Sequence, residues 1–248
     1  MKKWMCAVLL LCVCAGVLTG CGSTSLDGDS STVYVDKKGR ITSLDVEELG
    51  EGIYDAQELE SFINDAVAEY TEEHGKNSVT MNGLTVEDGT AKLALAYQSA
   101  QDYTNFHNTN YLGVELFSGE LLAALEAGYV FDGDFARVEK GQVVGIATKQ
   151  EIYAEEGLKV VVIRANTDVQ VEGDICYVSC ENVRLDGANR VSIREGYRLD
   201  NGAPANEEIP GVEDPDGTEE ADTGGEEVIE PKPDSVIGSD VYTFIVYR

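Results

Sequence analysis

Asp132 and Asp134, with Gly133 between them, are the first group in this sequence whose type and spacing could do chemistry. Carboxylate oxygens are the ligands that Ca²⁺ prefers, so this stretch could hold a calcium ion. Its spacing does not match the calcium loop of EF-hand proteins, and a solvated turn is the simpler interpretation. The acidic stretch 213–217 also lacks that pattern, and there we expect at most diffuse, weak cation binding.

The segment from residue 97 to residue 111 combines aromatic rings with side-chain amides. Such a mixture can form a surface that binds sugars or peptides. The alternative is that the rings belong to the hydrophobic core and the asparagines to turns. The residues concerned are Tyr97, Tyr103, Asn105, Phe106, His107, Asn108, Asn110 and Tyr111.

Two cysteines, Cys176 and Cys180, lie in the stretch ICYVSC, which has the composition of a strand. Residues four apart on a strand point to the same face, about 13 Å from each other. A disulfide needs Cα atoms within about 7 Å, so we predict two small buried thiols. A metal pair is the weaker alternative, because His74 and His107 lie far away without ligand-like spacing.

The short motifs of several enzyme classes do not occur in this sequence. The nucleophile elbow G-x-S-x-G, the zinc motif H-E-x-x-H and the glycine-rich phosphate loops are all missing. A glycosidase that uses two carboxylates needs no such motif, but 46 acidic residues make it futile to single out a pair. We therefore assign no catalytic, cofactor-binding or metal-binding residue from the sequence.

The elements that would position these residues are hairpins and helices. Apolar residues at spacings of three and four predict a helix with Asp55 as N-cap, Glu58 completing a capping box, and Gly75 as its end. A second amphipathic helix is predicted from Ser118 to Gly128, and shorter helices near residues 99–106 and 149–156. Hairpin turns are expected at residues 36–39, 88–89 and 139–141. The inward residues of the two main helices are predicted to be Leu59, Phe62, Ile63, Ala66, Val67, Tyr70, Leu121, Leu122 and Leu125.

These patterns predict an α+β fold with a largely antiparallel sheet and two amphipathic helices. Residues 200–234 contain all five prolines and no aromatic residue, so we expect a long disordered acidic loop. Residues 235–248 return as a final strand of the same domain, 32–199. Val241, Thr243, Ile245 and Tyr247 alternate with Tyr242, Phe244 and Val246, which predicts a strand buried on both faces.

The N-terminus has the pattern of an export signal. Lys2 and Lys3 precede an apolar run that is too short to span a bilayer comfortably, as in secretory signal peptides. Leu18-Thr19-Gly20-Cys21 resembles the lipobox of bacterial lipoproteins. The resemblance implies that residues 1–20 are removed and that Cys21 receives a diacylglyceryl group, which anchors the chain to the membrane. Residues 21–31, rich in Gly, Ser and Asp, are predicted to be a flexible tether.

The net charge of the chain further limits the functions that it can have. Loss of residues 1–20 removes Lys2 and Lys3 and no acidic residue, which leaves a formal net charge of −30. Nucleic-acid binding needs a basic surface, so we do not expect this chain to bind nucleic acid. As a whole the chain resembles small acidic lipoproteins of unknown function from anaerobic Gram-positive bacteria.

From these features we expect an extracytoplasmic lipoprotein at the cell membrane that acts as a non-enzymatic binding or interaction module. Its partner would be a cell-envelope protein or glycan, and no cofactor is expected. A glycosidase-like envelope hydrolase with paired carboxylates is the first alternative. A solute-binding lipoprotein is the second.

Overall fold

The computed structural model describes residues 28–49, 55–108, 113–199 and 241–248. The predicted signal peptide, Cys21 and the acidic segment 200–234 lie outside these residues. The described chain is an α+β protein whose sheets are mostly antiparallel, so the predicted fold class is confirmed. Its helices are α1 (Ala56–His74), α2 (Ala100–Asn108), α3 (Leu121–Glu126) and α4 (Lys149–Tyr153).

The described strands form two sheets. One has seven strands in the order β11-β12-β9-β1-β2-β4-β3, and the other has six in the order β5-β8-β13-β10-β6-β7. Among these strands the pair β1–β9 is parallel, and the other pairs are antiparallel. The strands are β1 (Thr32–Val35), β2 (Ile41–Glu48), β3 (Val79–Glu87), β4 (Thr90–Tyr97), β5 (Glu115–Glu120), β6 (Phe135–Glu139), β7 (Gln142–Ala147), β8 (Lys159–Arg164), β9 (Asp168–Val171), β10 (Ile175–Ser179), β11 (Glu181–Leu185), β12 (Arg190–Arg198) and β13 (Thr243–Tyr247).

The six-stranded sheet is covered on both faces. One face packs against the seven-stranded sheet, and Val161 and Ile163 of β8 belong to that core together with Val33 and Val169. The other face, with Val160 and Val162, packs against α3, α4 and the segment around Phe131. The six-stranded sheet is therefore the middle layer, which explains why KVVVI is apolar without alternation.

The last strand, β13, lies inside this middle layer. It pairs with β8 on one side and β10 on the other. Ile245 and Tyr247 enter the core between the sheets, whereas Phe244 and Val246 enter the core under α3 and α4. The predicted strand with two buried faces is confirmed for the residues that the structure describes.

The first helix begins as predicted. Asp55 is its N-cap, and the carboxylate accepts hydrogen bonds from the backbone N–H of Gln57 and Glu58, which is the N-cap half of the predicted capping box. Ile63 and Tyr70 are buried, but Phe62 is 67% exposed, so its predicted inward position is wrong. The buried stripe is narrower than predicted, and the strand that α1 mainly contacts among the described elements is β3.

The predicted start of the second helix, at Ser118, is wrong. Residues 115–120 form strand β5, which pairs with β8 along its whole length, and the helix begins only at Leu121. Leu122 is 72% exposed, and Ala124 takes the buried position instead. Pairing with a strongly β-forming neighbour overrides the local helical pattern of these residues.

Cys176 and Cys180 do not form a disulfide with each other. The ladder between β10 and β13 shifts between Ile175 and Tyr177, so a bulge lies at Cys176. Cys180 is buried in the core between the sheets, whereas Cys176 is half-buried and packs against the other core. The prediction of one shared face is therefore wrong, because the bulge reverses the alternation of side chains.

The described end of the predicted tether, residues 28–31, is attached to the seven-stranded sheet. Ser30 donates a hydrogen bond of 2.8 Å to Asp168, and the backbone N–H of Asp168 donates to the carbonyl of Ser31. Asp168 is only 4% exposed and also contacts the guanidinium groups of Arg190 at 2.7 Å and Arg194 at 3.3 Å. Burial opposes its ionisation, but the bonds from Arg190 and Ser30 and the charge of Arg194 hold its pKa below the ordinary value.

We expect Asp168→Asn to lower the free energy of unfolding by about 1–3 kcal/mol at pH 7, because the hydrogen bonds to the charged carboxylate are lost. A lowered pKa means that this contribution is present above the unfolded value, about 3.9, and is lost as the pH falls through the folded value. Urea unfolding at pH 7 and pH 3 checks this: the deficit should shrink at pH 3. Asp186→Asn, at an exposed turn, is the control, and an equal deficit at both pH values would contradict the ion-pair origin.

Candidate functional site

The aromatic rings of segment 97–108 lie in or against the hydrophobic core rather than on an open surface. Tyr97, Tyr103 and His107 are buried, and their rings pack at centroid distances of 5.2 Å and 4.2 Å around Tyr103. The structure therefore supports the core interpretation of these rings over a sugar-binding or peptide-binding surface. Asn110 and Tyr111 lie outside the described residues.

A polar cluster lies beneath α2, next to these rings. Ser43 donates a hydrogen bond of 2.9 Å to the carboxylate of Asp45, and His107 Nδ1 lies 2.9 Å from the carbonyl of Tyr103. Burial raises the pKa of Asp45, and the charge of His107 and the Ser43 bond oppose the rise. Burial also raises the pKa of Tyr97 well above its ordinary value, so this phenol stays neutral at physiological pH.

We expect Asp45→Asn to stabilise the protein at pH 8, because an amide keeps an acceptor for Ser43 without a buried charge. A raised pKa means that ionisation costs stability as the pH rises from the unfolded value, about 3.9, through the folded value. The gain should therefore vanish near pH 4, and each kcal/mol gained corresponds to about 2–4 °C in melting temperature. Thermal melts at both pH values test this, with exposed Glu48→Gln as control. A variant less stable than wild type at pH 8 would contradict it.

The pair Asp132 and Asp134 lies at a turn beside a concavity of about 240 Å³. Lys149 approaches the Asp132 carboxylate at 3.3 Å, and Gly133 adopts a positive φ of 91°. Within the described ranges, no group of three or more His, Cys, Asp or Glu side chains could hold a metal ion. This geometry supports the solvated-turn interpretation of the sequence.

A carboxylate site that the sequence did not predict lies at Glu115. Tyr129 and Tyr242 donate hydrogen bonds of 2.8 Å and 2.6 Å to its two oxygens, and the guanidinium of Arg164 lies over the Tyr242 ring. The bond to Glu115, followed by burial, raises the pKa of Tyr242. Both carboxylate oxygens are engaged, so the cluster fastens the chain before β13 to β5. Glu115 and Tyr242 are 127 residues apart, and no spacing signal could have paired them.

A groove of about 550 Å³ lies between α1 and β3, and we call it the α1–β3 groove. Its apolar lining comes from both elements, and polar side chains form the rest. The lining residues are Asn64, Val67, Ala68, Thr71, Glu72, Lys76, Asn77, Val79, Thr80 and Met81. The helix residues recur at intervals of three and four, so one stripe of α1 forms one wall of the groove.

The other wall, β3, is an edge strand among the described strands, because it pairs with β4 alone. The N–H of Gln98 donates to the carbonyl of Ser78, which makes these two residues a hydrogen-bonded pair. In an antiparallel ladder such pairs alternate, so Ala94 and Lys92 of β4 also face β3. The N–H and C=O groups of Leu84 and Val86 therefore point away from β4.

Comparison with known proteins adds no further assignment: no protein-family model, curated protein or solved structure matches this chain. Among the described helices, none combines the length and the apolar composition that crossing a membrane requires.

Proposed function

We propose that this chain is a lipid-anchored, extracytoplasmic binding module that holds an envelope protein segment in the α1–β3 groove. The observation that carries the proposal is the groove itself, which joins an apolar floor to a strand edge that no described strand covers. Val67, Ala68, Val79 and Met81 are apolar and the other described lining residues are polar or charged, and a concavity that offers both kinds of group can bind and orient a partner. The sequence alternatives have less support, because Glu72 is the single acidic residue among the described lining residues and a glycosidase needs two.

The anchor is proposed from the sequence around Cys21. Gly28, where the described chain begins its attachment to the sheet, is seven Cα-to-Cα steps from Cys21. Such a length spans at most about 25 Å, so a diacylated Cys21 keeps the domain next to the membrane surface. The groove would then be presented to partners of the envelope.

Replacement of Cys21 tests the anchor. We expect Cys21→Ser to move the protein from the membrane fraction to the soluble fraction or the medium and to abolish labelling by an alkyne fatty acid. Cys176→Ser, a half-buried thiol outside the signal, should keep both the location and the label. A Cys21→Ser protein that stays labelled in the membrane fraction would show that the anchor assignment is wrong.

Crosslinking in intact cells tests the groove. A photoreactive amino acid at exposed Thr80 should give discrete adducts, whereas the same group at exposed Glu126 of α3 should not. Ala68→Trp, which fills the groove, should remove the Thr80 adducts, and Ala123→Trp on α3 should leave them unchanged. Adducts that survive Ala68→Trp, or that form equally from Glu126, would overturn the groove as the binding site.

A further inference from the structure

The backbone and side chains of β3 and α1 indicate the chemistry of the proposed partner, and this inference rests on the proposed function. We infer that the partner is a cationic, extended segment that adds a strand to the edge of β3 that no described strand covers. Three features carry the inference: the outward backbone groups of β3, the side-chain space beside α1, and the charge of the outer face of α1.

The backbone of β3 offers hydrogen-bonding groups on the side that faces away from β4. Leu84 and Val86 direct N–H and C=O groups away from β4, and both residues are only partly buried. Unpaired groups on a strand edge are a template for another strand, and peptide recognition by strand addition uses them. An edge from Met81 to Glu87 is about 20 Å long, which suits an extended segment of about six residues.

The space beside the edge accounts for one face of such a segment. Side chains of an added strand alternate between two faces, so every second one would point towards α1. The groove reaches this edge at Met81, and there it offers Val67, Ala68 and Met81 as an apolar floor. The partner should therefore carry small apolar side chains at alternate positions towards the end that pairs near Met81.

The charge of the outer face of α1 indicates which side chains the partner carries at the other positions. Asp65, Glu69 and Glu72 are exposed and follow one another around α1 beside the groove stripe. No described residue forms an ion pair with any of these three carboxylates. Lysines or arginines that alternate with the apolar side chains would meet this acidic face, whereas acidic segments would be repelled.

The same features count against a second copy of this chain as the occupant. Two lipidated chains with a formal net charge of −30 each would bring two acidic helices together. The edge therefore favours a partner of opposite charge.

A designed peptide tests the inference without knowledge of the natural partner. The probe is a capped, fluorescent octapeptide of alternating valine and lysine, and the control replaces each lysine by glutamate. Both are titrated against the full lipidated chain in a non-ionic detergent. We expect saturable binding of the lysine peptide alone, weakened at least tenfold at high salt because exposed charges are screened.

Variants assign the binding to the edge of β3 and the face of α1. Glu69→Lys with Glu72→Lys should weaken the lysine peptide at least tenfold, whereas Glu126→Lys with Glu156→Lys, an equal charge change at remote exposed sites, should not. Val86→Pro removes an outward N–H without breaking the β3–β4 ladder and should weaken binding similarly. Val86→Thr keeps that N–H and should bind as wild type.

Hydrogen exchange distinguishes strand addition from a purely electrostatic contact, because the latter would leave the exchange rates of the β3 amides unchanged. On peptide binding, the amides of Leu84 and Val86 should exchange at least tenfold more slowly. Binding without this protection, equal binding of the glutamate peptide, or protection that arises from self-association without peptide would each overturn strand addition. If the groove binds a partner in a way other than strand addition, the Thr80 adducts would still form. Failure of strand addition can therefore be distinguished from failure of the groove as the binding site.

Discussion

A chain that ends at residue 238 should show no cooperative unfolding transition, because the middle layer loses the strand that joins β8 to β10. Phe244, Ile245, Val246 and Tyr247 are each at most 5% exposed. Burial of a large apolar side chain contributes about 1.5–3 kcal/mol, so four of them contribute about 6–12 kcal/mol. That is comparable with the whole stability of a typical domain, about 5–15 kcal/mol.

Circular dichroism during thermal melting measures this effect. The matched control deletes residues 202–231, a segment without aromatic residues, and it should melt like wild type. The 11 residues that remain between Leu199 and Val241 can span up to about 36 Å. A cooperative transition in the chain without β13 would show that the middle layer does not depend on this strand.

Gly141→Ala should produce a large loss of stability for so small a substitution. Gly141 lies in the β6–β7 turn with φ of 77°, and a Cβ there would lie 2.6 Å from the carbonyl carbon of Gly187. The backbone fixes the position of the Cβ, and the Gly187 carbon is itself a backbone atom, so no rotamer change can relieve this contact. Left-handed strain costs about 1–2 kcal/mol and overpacking about 1–3 kcal/mol, which predicts a loss of about 2–5 kcal/mol.

Gly39→Ala isolates the steric part of this loss. Gly39 has the same φ of 77°, but its Cβ would meet only Ser118 Oγ at 3.8 Å, so only the strain should remain. Gly145→Ala, where a Cβ meets nothing within 4 Å and φ is not positive, should change stability by less than about 0.5 kcal/mol. Urea unfolding of the three variants gives the comparison, and equal losses for Gly141→Ala and Gly39→Ala would exclude the clash between the two turns.

The sequence by itself determined the features that depend on nearby residues. The cap at Asp55, the end of α1 at Gly75 and the Asp88-Gly89 turn follow from local hydrogen bonds and from backbone angles that few residues tolerate. The double alternation in residues 241–247 predicted a strand buried on both faces, since each face of a strand needs its own core. The α+β class follows from the sum of such local patterns.

The tertiary structure alone decided which side chains meet. Pairing with β8 turned residues 115–120 into a strand, and the packing of α2 turned Tyr97 and Tyr103 inward. The α1–β3 groove depends on which strand ends the seven-stranded sheet, and the Glu115 cluster joins residues 127 apart. Long-range pairing is set by the burial of whole surfaces rather than by local preference, so a pattern within one segment carries no information about its neighbour in space.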